Sequence, residues 1–146
     1  MPLSDLPLAE LVEFRPDIEE PADFDDFWSG TLAEARALPQ QVTLSPAPGG
    51  ITEVVVEDLS FSGFGGDPVK AWVVRPRGGG PRPAIVEFVG YNGGRGLPSE
   101  HLAWAAAGFV HVVMDTRGQG GGWGGGGGTP DPHGTGTSFE GFMTRG

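Results

Sequence analysis

The sequence has 146 residues, 27 of them glycine and 14 proline, and its 9 basic and 19 acidic side chains give a formal charge of -10. That length fits one domain, and the negative balance, with no run of Lys or Arg, excludes nucleic acid and anionic membrane surfaces as partners. The lack of cysteine removes disulfides and thiolate metal sites; with no secretory pattern in MPLSDLPLAEL and no apolar run near the ~18 residues of a membrane span, a soluble, cytoplasmic protein is expected.

Ser4 or Asp5 can cap a short helix running to Glu13, with Leu8, Leu11 and Val12 as its apolar stripe. After Pro16 and Pro21, Asp23 caps a stronger helix in which Phe24, Phe27, Trp28, Leu32, Ala35 and Leu38 recur at three- and four-residue spacing until Pro39. Asp23, Asp25 and Asp26 fall in its first turn, where the helix dipole favours negative charge, so they read as capping groups and not as metal ligands. Residues 52–62 and 69–75 are β-rich runs around an SGFGGD turn and predict a hairpin. The Val-, Ile- and Phe-rich run at 84–89, stopped by Gly90, predicts a strand buried on both faces of a parallel sheet. Ser99 is the expected cap of a helix over 101–107 that Gly108 ends, and 109–114 is the next buried strand. Together 84–114 make one parallel βαβ unit. From 116 to 138 no apolar periodicity survives, and a long, flexible glycine-rich loop is expected. Beyond it, Phe139, Phe142 and Met143 are candidates to dock on a core.

Open α/β sheets bind ligands outside the carboxyl ends of their strands, which puts Gly90, Tyr91, Asn92, Gly93 and Gly94 where chemistry is expected. Glycines there let backbone N–H groups approach a ligand, although a tight turn with no ligand accounts for the same residues. The histidines read as structural: His101 on a helix, His111 within a strand and His133 in the loop. Gly120, Gly122 and Gly125 satisfy G-x-G-x-x-G, but a glycine tract does so by composition alone, and neither a following helix nor a G-K-[ST] signature is there to hold phosphate. Arg117 alone among glycines does not make an RNA-binding groove.

FVGYNGGRG at 88–96, VMDTRGQGGGW at 113–123 and EGFMTRG at 140–146 together resemble the acetyl xylan esterase and cephalosporin C deacetylase family of α/β-hydrolases. DLPLAELVEFRP and DFDDFW are similar too, so the resemblance covers nearly all of the chain in order. It implies the N-terminal part of an eight-stranded α/β-hydrolase sheet, with the predicted strands in the order 1-2-4-3 behind N-terminal helices. It also implies a Ser-His-Asp triad, no cofactor or metal, deacetylation of acetylated sugars or cephalosporins, and a homo-hexamer. The backbone N–H of Tyr91 is the implied oxyanion-hole donor; Gly90, Asn92, Arg117, Gly118 and Gln119 line or brace the site, with Asp115 accepting turn N–H groups and Arg117 pairing with a carboxylate. The sequence has no G-x-S-x-G elbow, so the triad is expected on strands following Gly146, and the 146 residues alone are expected to be inactive. The alternative is a truncated, catalytically dead fragment that acts at most as an interaction or assembly piece.

Overall fold

The computed structural model describes residues 6–47, 49–120 and 127–132. The expected caps Ser4 and Asp5, the glycines Gly122 and Gly125, His133 and the docking candidates Phe139, Phe142 and Met143 lie outside the described residues. The chain divides into two units, Met1–Glu34 and Ala35–Gly146.

The first unit contains α1 (Leu8–Glu13) and all but the last turn of α2 (Phe24–Ala37). Pro7 precedes α1, and its carbonyl accepts the N–H groups of Glu10 at 2.9 Å and Leu11 at 3.0 Å. Asp25 and Asp26 stand in the first turn of α2 and Arg36 in its last, each charge complementing the helix dipole. Along α2 the aromatic residues meet edge to face, Trp28 lying 6.3 Å from Phe24 and 5.5 Å from Phe27 between ring centroids.

The second unit is built on a five-stranded sheet: β1 (Val42–Pro46), β2 (Val54–Ser62), β3 (Pro68–Pro76), β4 (Ala84–Phe88) and β5 (Val110–Met114), ordered β1-β2-β3-β5-β4. β2 and β3 form the antiparallel hairpin, its turn closed by the Gly63 N–H on the Asp67 carbonyl at 2.7 Å, with Gly65 and Gly66 at positive φ. β4 and β5 run parallel and side by side, and β5 also pairs with β3, so the four expected strands stand in the expected 1-2-4-3 order. The sequence reading missed β1, which lies antiparallel to β2. The Ser62 hydroxyl holds its start, accepting the Gln41 N–H at 3.0 Å and donating to the Pro39 carbonyl at 3.1 Å.

The helix between β4 and β5 begins differently from expectation. Ser99 does not cap it; a 3-10 turn (Pro98–His101) comes first, with Pro98 at its first position and the Glu100 carboxylate accepting the Leu97 N–H at 2.7 Å. α3 (Leu102–Ala106) follows, and Gly108, at φ +98, ends it as expected. Ala105 of α3 packs on Val54 and Val74, with Val56, Trp72 and Leu102 around them, to form the core. Register places Trp72, Val74, His111, Val113, Ile85 and Glu87 on this same face of the sheet.

β4 corrects another expectation, since it is not buried on both faces. Among the described residues β5 is its only neighbour, and its opposite-face side chains Val86 and Phe88 are 54% and 69% exposed. Val113, on the strand inside it, is fully buried. An edge with apolar side chains and unpaired N–H and C=O groups templates pairing with another chain, so the 146-residue chain on its own is expected to self-associate despite its charge. Sedimentation velocity tests this; a cooperatively unfolding monomer at 15.2 kDa would contradict it. No helix among the described residues is long and apolar enough to cross a membrane.

Candidate functional site

Two loops leave the carboxyl ends of the adjacent parallel strands β4 and β5, and the structure joins them. The first makes a tight turn, with the Gly93 N–H on the Gly90 carbonyl at 3.0 Å. Asn92 occupies the third position at φ +63, a conformation that Asn tolerates better than other non-glycine residues. Tyr91 is the second residue of the turn and is 59% exposed. The second loop makes its own turn, from the Thr116 carbonyl to the Gln119 N–H at 3.2 Å, with Gly118 at φ +69. Gln119 then reaches across, and its side-chain carbonyl oxygen Oε1 accepts the backbone N–H of Asn92. Of the expected site residues, Gly90, Tyr91, Asn92 and Gln119 are thus brought together directly.

Asp115 fastens this arrangement from below. It is fully buried; Oδ1 accepts the Arg95 N–H at 3.0 Å, while Oδ2 accepts the N–H groups of Thr129 at 2.7 Å and of Gly128. The strand behind joins in, since the Asp115 N–H donates to the Lys70 carbonyl at 2.8 Å and the Lys70 N–H donates to the Thr129 hydroxyl at 2.8 Å. Gly118 closes the set by donating to the Thr129 carbonyl at 3.0 Å. A side chain at Gly127 would overlap the Gln119 carbonyl oxygen, so glycine is required there by a backbone-on-backbone approach. Residues 116–120 and 127–132 contain no regular element but are tied to β3 and β5 by these bonds. Arg117 stands to one side, between Asp67 at 3.4 Å and Asp131 at 3.5 Å.

Arg95 is the residue that sequence reasoning passed over. It lies buried in the first loop, and its guanidinium pairs with Asp58 of β2 at 2.7 Å, donates to the Ala71 carbonyl of β3 at 2.9 Å and stacks 3.7 Å above the centre of the Trp72 ring. Trp72 in turn donates its indole N–H to the Gly96 carbonyl at 2.9 Å. The available signals were an acidic Asp58 inside a β-rich run and a single arginine inside a glycine-dense loop, and neither says which meets which. A cleft of about 280 Å³ runs along the first loop, lined by Glu87, Val89, Gly90, Gly93, Gly94, Gly96, Glu100 and His101.

Chemically, the joined loops hold a turn of backbone N–H groups rigidly at the mouth of a parallel strand pair. Open α/β sheets bind ligands at such strand ends. The model of the acetyl xylan esterase (AXE1) family matches residues 1–146. The crystal structure of acetyl xylan esterase 1 from Thermoanaerobacterium sp. JW/SL YS485 is similar to this chain with a TM-score of 0.74 at 33% identity, over 89% of this chain and 39% of that one. Acetyl xylan esterase from Paenibacillus sp. R4 is similar with a TM-score of 0.72 at 31% identity, over 88% and 40%. The chain therefore spans about two fifths of the length of these solved structures. Its helices, hairpin and βαβ unit are the N-terminal part of an α/β-hydrolase fold, and the chain belongs to the acetyl xylan esterase family.

Proposed function

We propose that this chain carries the oxyanion-stabilising part of a serine esterase that removes acetyl groups from acetylated xylo-oligosaccharides, with cephalosporin C as a further acetyl ester for the same site. The observation that supports the reading is the junction of the two loops, where Gln119 and Asp115 hold the turn containing Tyr91 at the end of β4. In α/β-hydrolases one oxyanion donor comes from the loop that leads from this strand into the following helix. A nucleophilic serine, its proton taken by a histidine that an acid orients, attacks the acetyl carbonyl. The carbonyl oxygen gains negative charge and accepts the Tyr91 N–H, the sugar alkoxide leaves with the histidine's proton, and water releases acetate from the acyl-enzyme. Because the donor is backbone, the tyrosine ring can wall the acyl pocket. Arg117, held between Asp67 and Asp131, braces the second loop.

Without a G-x-S-x-G elbow in the 146 residues, this reading places the nucleophile, acid and histidine in sequence beyond them, in a cytoplasmic protein that assembles as a homo-hexamer. Purified alone, the 146-residue chain is expected to show no serine-reagent-sensitive hydrolysis of 4-nitrophenyl acetate above a denatured control. A chain extended through the reading frame past codon 146 is expected to show it. Activity of the short chain, or an extension with neither an elbow motif nor activity, would sink the reading; the latter would favour an assembly piece.

A further inference from the structure

We propose that Glu87, His101 and His111 form a binding site for a divalent transition-metal ion of the zinc class, a site that the esterase reading does not use. The three side chains each offer a ligating atom, and these atoms lie within 4.8 Å of one another. They come from β4, the end of the 3-10 turn and β5, so the fold and not a local sequence motif assembles them.

Both ring nitrogens of His111 face acceptors. Its Nδ1 lies 3.3 Å from the His101 carbonyl oxygen and its Nε2 lies 3.0 Å from Glu87 Oε2. Both partners are acceptors, and a neutral imidazole has one N–H. With Nδ1–H on the carbonyl, the Nε2 lone pair faces a carboxylate, which is repulsive unless something positive lies between them. His101 is arranged alike: its Nε2 lies 2.8 Å from the Arg95 carbonyl oxygen, and with the proton on that nitrogen the lone pair is on Nδ1. Metal-bound histidines characteristically donate the second ring N–H to a backbone carbonyl, which fixes the tautomer and the ring plane. Here two neighbouring imidazoles, 5.6 Å apart between centroids, each have a ring nitrogen beside a backbone carbonyl oxygen.

Two nitrogens and one carboxylate oxygen are donors suited to zinc, which binds them at about 2.0–2.2 Å, tetrahedrally, so that neighbouring ligand atoms stand about 3.3 Å apart. The His111–Glu87 pair, at 3.0 Å, is close to that spacing. Closing the remainder requires rotation at Glu87 and His101, the two more exposed members, while His111 stays buried as the anchor. Glu87 and His101 also line the 280 Å³ cleft, from which water can supply a fourth ligand.

The test is a calorimetric titration of the chelator-stripped 146-residue chain with ZnCl2, repeated with CoCl2 while the visible bands that report tetrahedral nitrogen–oxygen coordination are followed. One equivalent is expected to bind. Glu87→Gln and His101→Gln are each expected to weaken it by more than about 100-fold, beyond what loss of an outer-shell partner costs. His133→Gln is expected to leave it unchanged. A thermal melt of each variant keeps a folding defect from passing for lost binding. The proposal is overturned if no stoichiometric binding occurs. It is equally overturned if binding survives both variants or disappears with His133→Gln. None of these readouts involves esterase activity, so their failure leaves the functional reading standing.

Discussion

In the extended esterase, Tyr91→Pro is expected to lower turnover by about 10²- to 10³-fold, while Tyr91→Phe is expected to leave it nearly unchanged. Loss of one oxyanion-hole donor costs roughly 3 kcal/mol of transition-state stabilisation, and proline removes the N–H that phenylalanine retains. The turn geometry makes the comparison fair. Tyr91 is the second residue of a turn whose third, Asn92, has φ +63, as in type II turns, and proline is common at that second position. Substitution there preserves the turn and deletes a donor. Circular dichroism and a melting curve matching those of the parent should accompany the kinetics. Equal losses in both variants would transfer the role to the phenol, and no loss in either would remove Tyr91 from the oxyanion hole.

Asp115→Asn is expected to destabilise the fold by about 3 kcal/mol, seen as a melting point lower by on the order of 10 °C. The carboxylate accepts three backbone N–H groups, from Arg95, Gly128 and Thr129. Hydrogen bonds to a charged group contribute roughly 1.5–3 kcal/mol each, so the raw sum is larger than the expected loss. Two effects reduce it. Asparagine can keep its oxygen toward Gly128 and Thr129, so only the Arg95 bond must go; and removing a buried charge recovers part of its desolvation cost. What remains is an amide NH2 forced against the Arg95 N–H, two donors with no acceptor between them in a dry site. A melting point within about 2 °C of the parent would show that the carboxylate is not the anchor described.

Legibility in the sequence followed the range of the interactions involved. The hairpin and the parallel unit announce themselves through unbroken apolar runs and glycine stops, and their order agreed with the fold. β1 did not announce itself, because VTLSP is five residues long, keeps its side chains exposed and owes its existence to pairing with β2. The same principle hid the exposure of β4: an apolar run shows that a strand is suited to burial but not which neighbours it has. Ser99 was the expected cap because capping preferences describe α-helices, whereas the chain here starts a 3-10 turn at Pro98. In the site, Asp115 and Arg117 were read through a family motif. Arg95 with Asp58 is separated by 37 residues, and Lys70 with Thr129 by 59, distances over which periodicity carries no information. The glycine tract looked uniform, yet Gly127 and Gly118 have individual steric reasons to be glycine.

The position of Arg95 bears on how the site is assembled during folding. Its partners Asp58, Ala71, Trp72 and Asp115 lie on two strands and one strand end. The β2–β3 hairpin can form by local closure and by itself supplies the guanidinium's partners, but the Arg95 backbone N–H has its acceptor only once Asp115, at the end of β5, has been brought against β3. The loop after β4 is therefore completed late, since Gln119 and Asp115, which hold its turn and the Arg95 N–H, follow β5 in the chain. By the same geometry it cannot open alone: releasing Arg95 strands a buried charge, so the free energy of local opening is raised toward that of the sheet itself. A loop dense in glycine thus takes its rigidity from the cooperativity of the strands beneath it, and a mutation that loosens β3 against β5 should lower the opening free energy of the loop and of the sheet together.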